Sequence, residues 1–277
     1  MGAAIPIGTH RLRNPHRAGM AAAMIRSLQS SLGVVLLLLG ALGIWSAALT
    51  LSPYAIDRFP RSERWAFAAI VALSAPLLVA IVRRIANSPA KNSPINGKRA
   101  DIFRSFAFGA LCFAIPFAFA LGAGLASGMV SLRTDAALST ILLNGAAAVA
   151  LVFLAEAFPE ELIFRGAIQS LLRAQMPSWP AITLQALLFT LFAWMIGVAP
   201  TWLDASFLFF FGFVLGILRN VHGVPAAIGF HLAFMSTQQF LGPAWGLFEV
   251  GNPDLMRMAG AIIPFSATII FLHGRVK

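Results

Sequence analysis

Apolar runs long enough to cross a bilayer recur along this chain, and they constrain its fold more than any other feature. A transmembrane helix needs about 20 predominantly apolar residues. Such runs give eight candidate spans, at about 32–51, 66–82, 105–126, 136–157, 180–199, 203–218, 225–241 and 259–273. The sixth and seventh are short and interrupted by polar residues. Only 11% of the residues are charged, against roughly 25% in soluble globular domains. The expected fold is therefore an all-α, polytopic transmembrane bundle of about eight spans, with the lipid bilayer as its first partner.

Charge orients the bundle. With the N-terminus in the cytoplasm, Arg11, Arg13, Arg17 and Arg26 fall inside, as do Arg83, Arg84, Lys91, Lys98, Arg99 and Arg104. Arg165, Arg173, Arg219, Arg275 and Lys277 join them, while Arg58, Arg61, Arg64, Arg133 and Arg257 fall outside. Lys and Arg favour cytoplasmic loops, so both termini are expected there, in a cell (inner) membrane. This bias accounts for the net charge of +10 without a nucleic-acid partner. The first apolar run exceeds an ordinary signal core and reads as an uncleaved span. Cys112, the single cysteine, sits in an apolar run and reads as a small core residue.

Four segments are expected: a basic cytoplasmic lead (1–30), N-terminal transmembrane helices (31–135), a core (136–241), and a last loop with a C-terminal helix (242–277). The stretch PAKNSPING, 89–97, has linker composition. The aromatic run Phe207–Phe213 reads as lipid-facing or packing surface.

One stretch breaks the apolar pattern. AEAFPEELIFRG, 155–166, holds Glu156, Glu160, Glu161 and Arg165. Pro159 cannot continue a helical ladder but suits a first turn, so a separate amphipathic helix is expected over Pro159–Gln175. Glu161, Arg165, Gln169 and Arg173 recur every fourth residue and form one polar stripe. Glu161 and Arg165 stand in the favoured order for an i,i+4 ion pair. Glu160 is turned about 100° from Glu161 and need not share its task. A capped helix start paired to Arg165 at the membrane surface covers Glu161 well, but one arginine does not neutralise three carboxylates. Ionisable groups at membrane depth are costly and mark function. A desolvated carboxylate there suits a general base acting on water.

Glu160-Glu161-x-x-x-Arg165-Gly166 resembles the first motif of the CPBP family, the CAAX-protease and bacteriocin-processing intramembrane endopeptidases. The similarity extends over about 136–241. It implies a multi-helix membrane enzyme that hydrolyses peptide bonds of membrane-associated substrates. By this resemblance Glu160 is the general base, Glu161 and Arg165 its structural and electrostatic support, and His231 the oxyanion or metal partner. The family's second motif, Phe-x-x-x-His, aligns on Phe189 and meets Ala193 where histidine belongs. The third, His-x-x-x-Asn or Asp, aligns on His231 and meets Met235. A catalytic zinc usually takes three protein ligands, and Glu160 with His231 supplies two, so a divalent metal would have an incomplete set. Glu156 and His222 are candidates to compensate, although His222 reads as a solvated loop residue. Gln238 and Gln239 would reach the site only through a distorted helix. Two functions follow: an endopeptidase with a reduced site, or an inactive family member serving as a membrane-embedded binding or regulatory partner. A transporter using Glu160 and His231 as an ion relay would need paired broken helices in matching halves, which the chain lacks.

Overall fold

A computed structural model describes residues 15–51, 61–86, 99–242, 245 and 247–276. Arg11, Arg13, Arg58, Lys91, Lys98, Lys277 and the 89–97 linker lie outside the described residues. Those described form eight long helices and one short two-stranded ribbon. The helices are α1 (Pro15–Leu51), α2 (Arg61–Ile85), α3 (Arg99–Ala126), α4 (Leu138–Arg173), α5 (Ser178–Met195), α6 (Trp202–His222), α7 (Val224–Leu241) and α8 (Pro253–Leu272). All but α7 are long and apolar enough to span a membrane. The all-α multi-pass bundle is as expected, with seven such helices among the described residues rather than eight. Alpha7 is fully helical, but its polar residues keep it below that apolar threshold. Large apolar side chains such as Leu73, Ile115, Phe119 and Ile270 project outward, as they do where the solvent is lipid.

The expected helix break at Pro159 does not occur. Backbone angles stay helical through it, with φ −61° and ψ −46° at Ala157 and φ −66° and ψ −45° at Glu160. The chain widens instead. Residues Phe153–Ala157 and Glu161–Ile168 are π-helical, and the N–H groups of Phe158 and Gln169 each bond a carbonyl five residues back. Pro159 has no N–H to donate, and its ring would crowd the carbonyl four residues earlier in a tight α-turn. A wider turn next to it makes room, and such bulges gather at functional sites.

Beta1 (Ser131–Arg133) and β2 (Glu249–Gly251) pair antiparallel, with Leu132 opposite Val250, and Thr134 Oγ1 donates to Leu247 O at 2.6 Å. This ribbon ties the loop after α3 to the loop before α8, so both lie at one end of the bundle. At the other end, Ser27 donates to Gln175 at 3.0 Å and Arg219 to Ser170 at 2.6 Å. Helix α7, which carries His231, starts after Gly223, whose φ of 86° suits glycine, with Pro225 in its first turn.

Alpha3 crosses α7 at Gly109 and Gly229. A β-carbon at Gly109 would collide with the Ala226 carbonyl, and one at Gly229 with the Phe106 carbonyl. Small residues permit such close backbone approach in membranes. Gly229→Leu is therefore expected to push α7 off α3 and destabilise the protein by roughly 1–3 kcal/mol, read as a lower unfolding temperature in detergent.

Candidate active site

The acidic stretch sits in the middle of α4, inside the bundle. Glu161 and Arg165 are both 0% exposed. Arg165 Nη1 donates to Glu161 Oε1 at 2.7 Å, and His231 Nδ1 meets the same oxygen at 2.8 Å. The i,i+4 pair is thus present, and it is buried rather than lying at a membrane surface. Glu161 joins α4 to α7, a link that no spacing in the sequence could reveal because the partners are 70 residues apart. Arg165 also stacks over Phe189, 4.4 Å from its ring centre, and donates to Gly212 O at 3.4 Å.

The rest of the polar stripe runs along α6. Gln169 donates to Gly216 O at 3.0 Å, and Arg173 bonds Asn220 and Ser178. Arg219 returns from α6 to the Arg165 carbonyl at 3.0 Å. The stripe is a helix–helix seam, not the outer face of an amphipathic helix. Within a bilayer, such side chains must find their partners in the protein.

A cavity of about 380 Å³ opens beside this seam. Glu160 and His231 both line it, along with Glu156, Gln239, Arg64 and Phe211. Ala193 and Met235, the apolar residues at the two substituted motif positions, line it as well. Adjacent glutamates therefore part company: Glu161 turns into the seam and Glu160 toward the cavity. Glu156 accepts from Gln239 Nε2 at 2.8 Å. Gln239 needs no helix distortion to reach the cavity, since His231, Met235 and Gln239 recur at four-residue steps along unbroken α7 and share a face. His222 is the last residue of α6, stacked on Phe108 at 4.0 Å, and is not among the cavity's lining residues. The aromatic run divides: Phe210 is 52% exposed, whereas Phe211 is buried edge-on against His231 with ring centres 4.9 Å apart.

Among the described residues, no three His, Cys, Asp or Glu side chains are placed to hold a metal ion.

Fold and site together define a multi-pass membrane protein with a buried acid–histidine cluster opening on an internal cavity. Residues 143–237 match the family model of the type II CAAX prenyl endopeptidases, Rce1-like. The matched stretch includes Glu160, Glu161, Arg165 and His231, and it agrees with the resemblance to the CPBP family read from the sequence. No curated protein matches the chain.

Because Glu161 is shut away from water, removing its cation leaves a buried charge short of a partner. Arg165→Met is expected to cost about 3–5 kcal/mol in detergent unfolding. The double change Glu161→Gln with Arg165→Met should cost less than that single change.

Proposed function

We propose that the protein is an intramembrane endopeptidase in which Glu160 activates water against a peptide bond of a membrane-associated substrate. The observation that carries this reading is that Glu160 and His231 line one cavity while Glu161 holds the His231 ring from behind. The Glu160 carboxylate takes a proton from water as the water oxygen attacks the peptide carbonyl. Bonding of Nδ1 to Glu161 leaves Nε2 of His231 for the cavity, where in its protonated form it donates to the oxyanion. The Glu161 carboxylate stabilises that imidazolium and fixes its orientation, the role an acid plays behind a catalytic histidine. The proton on Glu160 then passes to the amine nitrogen as the C–N bond breaks, giving a carboxylic acid and an amine. Gln239 brings an amide into the cavity one turn beyond Met235, held by Glu156. It supports the oxyanion side that Met235 leaves without a donor.

A second reading, an inactive member that binds a membrane partner in the same cavity, is favoured by Ala193 and Met235. They put hydrocarbon at two places where the family pattern has polar groups.

Peptide cleavage by purified protein in detergent tests the two. For an endopeptidase, Glu160→Ala is expected to lower kcat by about 10²–10⁴-fold, and His231→Ala by about 10²–10³-fold. Wild-type activity retained in Glu160→Ala would end the first reading. Activity seen only in the Ala193→His, Met235→Asn variant would establish the second. In an active protein, Met235→Asn should raise kcat by up to about 10²-fold by returning an oxyanion donor.

A further inference from the structure

The cavity has a mouth and a floor, and they lie at different depths. Glu160, 9% exposed, and His231, 2% exposed, form the floor. The mouth is ringed by Leu49 near the end of α1, Arg64 near the start of α2, and Val198 just after α5, which is 53% exposed. These are the helix ends at the ribbon's side of the bundle: Arg64 lies over Trp245, in the loop that leads to β2, at 5.6 Å from the ring centre. Beyond the floor the way is closed, because every residue of α4 from Glu161 to Gln169 is buried and its stripe is bonded to α6.

The two ends of the bundle differ in charge. Arg61, Arg64, Arg133 and Arg257 belong to the cavity end. Arg17, Arg26, Arg83, Arg84, Arg99, Arg104, Arg173, Arg219 and Arg275 belong to the other. Arg165 counts for neither, being enclosed in the middle of the bundle. Basic residues near span ends stay on the cytoplasmic side. We infer that the cavity opens on the non-cytoplasmic face of the membrane, and that the site receives an apolar peptide segment presented from that face. The orientation rests on charge and geometry alone, whereas the peptide as occupant rests on the peptidase reading above. The substrate class is then a translocated or membrane-anchored polypeptide, excluding a lipidated cytoplasmic terminus. Trp45, Phe67, Phe192 and Ile196 supply the apolar wall such a segment would need.

Cysteine accessibility tests the orientation without reference to activity. In a Cys112→Ala background expressed in a bacterial inner membrane, Val198→Cys probes the mouth and Ala174→Cys, after α4, the opposite end. A membrane-impermeant maleimide is expected to label Val198→Cys in intact cells and Ala174→Cys only after permeabilisation. The reverse pattern, or labelling of both in intact cells, would overturn the inference. Should either variant fail to accumulate, reporters fused after Lys277 decide the matter: a C-terminal green fluorescent protein should fluoresce and a C-terminal alkaline phosphatase should be inactive. The opposite pair of results would overturn it as well. Loss of the peptidase reading would leave these outcomes unchanged, so the two can fail separately.

Discussion

One carboxylate oxygen, Oε1 of Glu161, is shared by Arg165 and His231 at 2.7 and 2.8 Å with no exposure to solvent. A charge so placed is tolerable only when its partners are held firmly, because a lone ion at membrane depth is costly. The requirement fixes the pose of α7 against α4, since His231 has to arrive at the right height and rotation. It also frees the neighbouring glutamate. Because Glu161 absorbs the arginine, Glu160 is left to line the cavity, and one residue of helical rotation separates a group buried for structure from one facing open space.

The same economy extends along the seam with α6. Arg165, Gln169 and Arg173 meet Gly212, Gly216 and Asn220, each pair 47 residues apart, so the contacts climb both helices in step. In lipid there is little hydrophobic drive to bring helices together, and packing with interhelical hydrogen bonds must do it. A polar stripe of this kind glues the bundle, whereas in water it would face outward. The glycine crossing of α3 with α7 does the complementary task through close backbone contact.

Much of this was legible beforehand. The apolar runs announced the helices because a bilayer demands both length and hydrocarbon, and the four-residue repeat from Glu161 to Arg173 announced a single polar line. The 100° offset of Glu160 from Glu161 foretold their separate surroundings. What stayed hidden depended on contacts distant in sequence or on backbone registers that residue type does not encode. The link from Glu161 to His231 and the bond from Gln239 to Glu156 need the tertiary arrangement. The latter had a signal in the steps from His231 through Met235 to Gln239. Pro159 misled because proline in an α-helix ordinarily means a break, and the widened turns that accommodate it leave no mark in composition. The three-residue strands are too short to show a period.

Those widened turns have a consequence of their own for how the chain can change. In a regular α-helix, residues four apart drift by about 40° at each step, so a line of four polar groups would wind away from its neighbour. Over Glu161–Ile168 the wider backbone turns less per residue and so opposes that drift, and Arg165 and Gln169 both meet α6. The alignment depends on the number of residues in the segment as much as on their identity. Losing a single apolar residue there would let the helix rewind to a tighter register and swing everything on one side of the deletion around the axis. This stretch of α4 can therefore accept exchange among its hydrocarbon side chains far more readily than any change in its length.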